Sequence, residues 1–121
     1  GYEPDYSILK KAKEINPKNL VTITNNVQSA VTGANVLYTD VWSSMGEEND
    51  KGSKEKHFIG FTIDKNLLSF AQDNAIVLHC LPAYRGKEIT DEVIESINSK
   101  IFDQAENRMH VQQALLSLIL S

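Results

Sequence analysis

Three residues stand where chemistry is easiest to place. An acid, Asp40, follows the apolar run Val36-Leu37-Tyr38-Thr39. A thiol, Cys80, follows the apolar run at residues 75–78. A guanidinium, Arg108, heads an apolar stripe of Val111, Leu115 and Leu118. A carboxylate at a strand end can hold an ammonium group by a charge-assisted hydrogen bond. It can equally cap the segment that follows, since Asp is a common turn residue. A thiol beside a histidine, here His79, becomes a nucleophile when a base and a positive field lower its pKa. No other Asn, Asp or His pattern marks an activated pair, so a buried structural cysteine stays open. Arginine presents a planar fork that suits phosphate or carboxyl oxygens. Asp103 and Glu106 are also close in sequence, which leaves Arg108 open as an ordinary ion-pair partner.

The residues next to these add to the picture. Ser43 and Ser44 carry hydroxyls that donate and accept, and Gly46 permits a sharp turn. Trp42 and Met45 are large apolar residues in what reads as loop. They need a burial partner, and a closing lid or a neighbouring domain would provide one. Pro82 stops the second run and biases Leu81 toward an extended backbone, leaving carbonyls free to accept from a ligand amide. His57 lies beside lysines and reads as solvated, while His110 has no evident partner.

The elements that must position these residues alternate between helix and strand patterns. Asp5 is placed to cap a helix carrying Ile8, Ala12 and Ile15, closed by Pro17. Residues 20–24 read as a strand, Asn25-Asn26 as the cap of a short helix through Gly33, and residues 35–39 as a strand. Residues 46–56 read as a mobile loop with some helix, and residues 58–63 as a weaker strand. Asp64 caps a helix to about Gln72. Residues 75–78 form an apolar strand of the kind buried on both faces of a parallel sheet. Residues 90–97 make a short helix opened by Thr90-Asp91-Glu92, and residues 103–120 a long terminal helix. The result is an α/β, three-layer, Rossmann-like domain with a mostly parallel central sheet flanked by helices. Ligands of such sheets sit at the carboxyl ends of the strands, which singles out Asn25-Asn26, Thr39-Asp40 and His79-Cys80.

Composition narrows the function. The chain has 121 residues, 41% hydrophobic and 23% charged, which suits one domain. A net charge of -4 argues against nucleic acid as a partner. One cysteine excludes an intramolecular disulfide and gives no sign of an oxidising compartment. That cysteine and three scattered histidines lack metal-ligand spacing, so no metal is expected. The longest apolar run falls far short of a membrane span, so no membrane partner is expected. The opening Gly1-Tyr2-Glu3-Pro4-Asp5 lacks an initiator Met and a signal pattern, and reads as a start inside a longer protein.

In combination the motifs resemble those of ornithine carbamoyltransferases. Asp40-Val41-Trp42-Ser43-Ser44-Met45-Gly46 is similar to their Asp-x-x-x-Ser-Met-Gly loop, and His79-Cys80-Leu81-Pro82 to their His-Cys-Leu-Pro segment. Phe102-Asp103-Gln104-Ala105-Glu106-Asn107-Arg108 is similar to their last block. The resemblance covers the whole chain, and residues 82–92 look more like the bacterial and plastid branch. It implies the C-terminal, ornithine-binding half of the two-domain carbamoyltransferase fold, with residues 103–121 packing on an absent carbamoyl phosphate-binding domain. The implied reaction transfers the carbamoyl group of carbamoyl phosphate to L-ornithine, giving L-citrulline and phosphate, without a cofactor.

The resemblance also implies residue roles. Asp40 would hold the ornithine α-ammonium, and Ser44 and Met45 would close over the amino acid. The backbone carbonyls of Cys80 and Leu81 would hold the carbamoyl NH2, with the Cys80 side chain near the attacking amine and His79 in support. Arg108 would contact carbamoyl phosphate. The family's Ser-Thr-Arg-Thr, His-Pro-x-Gln and Asp-Gly-Asn-Asn segments are absent, so residues 1–121 alone are expected to be inactive. The whole protein is expected to be a homotrimer or higher, cytoplasmic, and in arginine biosynthesis. A plastid or mitochondrial setting stays open for a eukaryotic source, as does arginine breakdown. Aspartate carbamoyltransferase is disfavoured because it has His-Pro-Leu-Pro at the second motif. Enzymes for putrescine or acetylornithine are disfavoured by Ser44-Met45-Gly46. A non-catalytic amino-acid-binding module is the rival from another class, and a dinucleotide-binding domain lacks its Gly-x-Gly-x-x-Gly.

Overall fold

Two parallel strands carry the centre of the molecule, seen in a computed structural model that describes residues 2–16, 18, 21–43 and 54–121. In order, the elements are α1 (Tyr6–Ile15), α2 (Val27–Val31), β1 (Val36–Thr39), α3 (Lys65–Leu68), β2 (Ile76–His79), α4 (Asp91–Ile94) and α5 (Ile101–Leu120). This is the expected α/β arrangement, a parallel sheet flanked by helices. Strand β1 pairs with β2 in the register Val36–Ile76, Leu37–Val77, Tyr38–Leu78 and Thr39–His79. On the other side of β2, Val77 N donates to Asn98 O and Lys100 N donates to Val77 O. The chain at 98–100 therefore runs along β2 as a bridge, and it delivers α5 to the same sheet end.

The core is Leu37, Ile63, Ala75, Val77, Ile89, Val93, Ile94 and Ile101. Each large aliphatic side chain among them contributes roughly 1.5–3 kcal/mol by leaving water. Three helix starts follow the predicted chemistry, each N-cap oxygen accepting an otherwise unpaired backbone N–H. Asp5 accepts from Ser7 N at 2.7 Å, Asn26 from Ser29 N at 3.0 Å and Asp64 from Leu67 N at 2.7 Å. Thr90 precedes α4 as expected, but its hydroxyl makes no cap bond.

Several expectations need correction. Val21–Thr24, the described part of the first expected strand, has no ladder, and Val21 and Ile23 are exposed. Residues 58–60 bend and turn, because Gly60 adopts φ +92, which breaks an extended strand. Ile63 bridges to Ile89, and the Thr62 hydroxyl donates to Lys87 O at 2.5 Å. The helix from Asp64 ends at Leu68 and continues as tight turns, Phe70 N to Leu67 O and Ala71 N to Leu68 O. Helix α4 likewise stops at Ile94. Pro17 and most of the expected loop at 46–56 lie outside the described residues; within it, Lys54 and Glu55 are helical.

Helix α5 is tied down at one end only. Ile101 is fully buried, whereas Met109, Val111, Leu115, Leu116, Leu118, Ile119 and Leu120 are exposed. Among the described residues no helix is long and apolar enough to cross a membrane.

Candidate functional site

The strand register builds the site. Thr39 lies opposite His79, so the next residues, Asp40 and Cys80, leave the sheet side by side. Cys80 Sγ donates to Asp40 Oδ1 at 3.0 Å. The same oxygen accepts Val41 N at 2.7 Å, and Asp40 is exposed. Its second oxygen accepts no bond among the described residues, so it is open to a cation. The Cys80 thiol is pushed above its ordinary pKa, chiefly by its hydrogen bond to Asp40, then by burial and by the Asp40 charge. A hydrogen bond from Tyr38 works in the opposite direction. The thiol is thus held protonated, which suits a donor and opposes a nucleophile.

His79 follows from the burial pattern of β2: Val77 and His79 point into the core. Its backbone N donates to Gln104 Oε1 at 3.1 Å, and Gln104 Nε2 donates to the Tyr38 hydroxyl at 3.1 Å. Helix α5 is thereby fastened to both strand ends. The His79 ring is fully buried, as is Glu88, and Nε2 lies 3.1 Å from Glu88 Oε1. Glu88 Oε1 also accepts Tyr84 N at 2.6 Å. Leu81 is not extended, as Pro82 suggested, but left-handed at φ +58. A branched residue there costs about 1–2 kcal/mol. The backbone takes that shape because Leu81 N turns back to donate to His79 Nδ1 at 2.8 Å. The Leu81–Pro82 peptide is cis.

Arg108 comes to the same place. Cys80, Leu81, Pro82, Ala105, Arg108, Met109 and Gln112 line an open hollow of about 610 Å³. Arg108 is exposed and makes no ion pair among the described residues. The alternative partners are engaged elsewhere: Asp103 with Lys100 at 3.5 Å and Glu106 with His110 at 3.5 Å. That second pair supplies a partner for His110, which the sequence did not reveal. A second hollow, about 470 Å³, lies between α2, β1 and Phe58 and Phe61, with Asp40 and Trp42 in its wall. Asp40 and Cys80 therefore join two clefts across one hydrogen bond.

Trp42 finds its partner within the chain, stacked on Phe58 with ring centres 6.0 Å apart. Ser43 is buried, and its hydroxyl has no partner among the described residues. Ser44 and Met45, the expected flap residues, lie outside the described residues. His57 is exposed, with its ring 5.7 Å from that of Tyr2. The Asn25-Asn26 turn serves as a helix cap.

Asp40, His79 and Cys80 present ligand atoms within 4.8 Å of one another, a set that could hold a metal ion. Sequence spacing hid it, since Asp40 and Cys80 are 40 residues apart. To join such a set through Nδ1, His79 would have to give up the Leu81 N–H. Tyr38, Glu88 and Gln104 also escaped the sequence reading. Tyr38 sits in an apolar run and Gln104 in a helix, where neither type signals contact. Glu88 is a charged residue buried against expectation.

Residues 1–119 match the family described as aspartate/ornithine carbamoyltransferase, Asp/Orn binding domain. An ornithine carbamoyltransferase of Prochlorococcus marinus subsp. pastoris is 67% identical over 121 residues, covering 99% of this chain and 39% of that protein. The structure of the ornithine carbamoyltransferase from Pyrococcus furiosus superposes with a TM-score of 0.86 at 43% identity, over 98% of this chain and 38% of that one. That of the anabolic ornithine carbamoyltransferase from Campylobacter jejuni gives 0.84 at 40% identity, over 97% of this chain and 39% of that one. The chain thus spans about two-fifths of the length of these relatives. By the match along nearly its whole length, the chain belongs to the aspartate/ornithine carbamoyltransferase family, as an Asp/Orn-binding domain.

Proposed function

We propose that this chain is the ornithine-binding half of an ornithine carbamoyltransferase. The reaction is transfer of the carbamoyl group from carbamoyl phosphate to the side-chain amine of L-ornithine, giving L-citrulline and phosphate. The observation that carries the reading is the Asp40–Cys80 pair at adjacent strand ends, with Arg108 lining the same hollow as Cys80. An acid for an ammonium, a thiol beside it and a guanidinium beyond it follow the order of charges along ornithine and carbamoyl phosphate. Names of the relatives support the same substrates.

The chemistry then uses positioning and fixed charge. Asp40 takes the α-ammonium through its open oxygen. The side-chain amine must lose its proton to attack, and a closed, dry cleft favours its neutral form. Cys80, held as a thiol, orients that amine without forming a covalent bond. Backbone carbonyls of Cys80 and Leu81 accept from the carbamoyl NH2. Arg108 meets the negative charge that grows on oxygen as the carbonyl is attacked. Ser44 and Met45 cover the amino acid, and His79 supports the turn. A carbamoyl phosphate-binding domain completes the cleft, with the exposed end of α5 packed on it. The whole protein is read as a homotrimer or larger assembly, in the cytoplasm, serving arginine biosynthesis.

The test is a substrate panel on the whole enzyme. Citrulline and phosphate should form in equal amounts from carbamoyl phosphate and ornithine. Turnover of aspartate or acetylornithine in place of ornithine would overturn the reading. Residues 1–121 alone should form no citrulline.

A further inference from the structure

We propose that Glu88, acting through His79, is a positioning residue that sets the Cys80–Leu81 turn on which the carbamoyl group is held. The inference deepens the reading above and rests on it for the role of the two carbonyls.

The geometry fixes one proton. A backbone N–H can only donate, so the bond from Leu81 N requires a bare lone pair on His79 Nδ1. The ring proton is then on Nε2, where it is donated to Glu88 Oε1. Which ring nitrogen carries the proton is decided by the bond the other one makes. Glu88 Oε1 also takes the Tyr84 N–H, so two donors hold that one oxygen in place, while the buried Oε2 makes no hydrogen bond among the described residues. The line Glu88–His79–Leu81 is a clasp that ends on the left-handed residue of the turn.

Stability alone is a poor account of this clasp. A buried polar pair costs desolvation that a well-packed apolar pair would not. What it does supply is a direction for the Leu81 N–H, and with it the direction of the carbonyls on either side. Without Glu88, the ring is free to carry its proton on Nδ1, facing the Leu81 N–H. The turn then loses the contact that holds its backbone. The ring is also excluded as a base for Cys80, because its lone pair is committed to Leu81 and the thiol donates to Asp40.

The experiment compares Glu88→Gln, Glu88→Ala, His79→Asn and His79→Gln in the whole enzyme. It measures kcat, both KM values, thermal unfolding and the 15N shifts of the labelled His79 ring. Glu88→Gln keeps an oxygen for both N–H groups and should keep the Nε2–H form and wild-type turnover. Glu88→Ala should mix the two ring forms and lower kcat about 100-fold, the cost of misplacing a reacting group by roughly 1 Å, with the KM for ornithine unchanged. In His79→Asn the side-chain oxygen can still take the Leu81 N–H, so activity should survive better than stability. In His79→Gln the amide can still reach Glu88 but gives up Leu81, so stability should survive better than activity. A purely structural pair would make activity follow melting temperature across all four, and that result would overturn the proposal. Wild-type kcat in Glu88→Ala would do the same. If the wild-type enzyme forms no citrulline, the reaction assignment fails by itself, and the ring shifts still decide whether Glu88 sets the His79 proton.

Discussion

The Cys80 sulfur and the Asp40 carboxylate meet at 3.0 Å although 40 residues separate them in sequence. Nothing local brings them together. Two parallel strands do, because the register sets Thr39 against His79 and the next residue of each strand leaves the sheet at the same level. A shift of one residue in that register would turn one of the pair to the other face. The thiol and the acid are thus a direct readout of how β1 and β2 pair.

Their contact predicts the reactivity of the thiol. Asp40 raises the Cys80 pKa by accepting a hydrogen bond from the thiol and by its charge. Alkylation of Cys80 by iodoacetamide at about pH 8, near the ordinary thiol pKa, should therefore be slower than that of a free thiol. In Asp40→Asn the charge is gone, and alkylation should speed up. Slower alkylation in the variant would contradict the pairing. The sign for stability follows from the same shift. Between the ordinary thiol pKa and the raised one, the unfolded chain has lost a proton that the folded chain keeps. Stability linked to Cys80 is therefore full below the ordinary thiol pKa and falls as pH rises through the raised one. Cys80→Ser should flatten that alkaline loss.

Ornithine binding should depend on the same acid. A hydrogen bond to a charged group is worth about 1.5–3 kcal/mol. Asp40→Asn should accordingly raise the KM for ornithine roughly 10- to 100-fold. The KM for carbamoyl phosphate should stay near its wild-type value. Steady-state kinetics with each substrate varied in turn distinguishes the two, and an unchanged ornithine KM would remove Asp40 from the amino-acid site.

Core truncations should separate structure from site. Ile89 and Ile101 are fully buried, the first beside the bridge to Ile63 and the second at the root of α5. Replacing either by Ala should cost about 2–5 kcal/mol through lost burial and the cavity left behind. Denaturant unfolding reads this directly. Ile101→Ala should also loosen Gln104 from His79, three residues along the same helix. Ile89→Ala should leave that link in place.

Much of this was legible in the residues themselves. The apolar run ending at Thr39, the run at 75–78, and the Asp5, Asn26 and Asp64 caps follow from local patterns, and the structure keeps them, with the second strand moved one residue on to Ile76–His79. What local patterns miss is decided by tertiary neighbours. Val21 and Ile23 have strand-forming side chains, but among the described residues no strand lies beside them and no ladder forms. Gly60 turns an aromatic run into a chain of turns, with Phe58 available to stack on Trp42. Glu88 looks like a surface residue until His79, nine positions earlier, is seen to need an acceptor inside the core. The polar contacts of Tyr38 and Gln104 depend on where α5 starts, and the bridge at residues 98–100 sets that.

Arg108 gives the last prediction. It stands on α5 two turns beyond buried Ile101, exposed at the edge of the hollow that it shares with Cys80 and Leu81. Its acidic neighbours in sequence are occupied by Lys100 and His110, so its fork is not drawn back along the helix. Removing a fixed donor aimed at developing negative charge lowers kcat about 10²- to 10³-fold, and Arg108→Ala should fall in that range. Arg108→Lys keeps the positive charge but gives up the planar pair of donors, so it should restore only part of the loss. On the proposed assignment of ornithine to Asp40, the ornithine KM should be indifferent to both changes. Full turnover in Arg108→Ala would mean that the guanidinium serves only the surface of the helix.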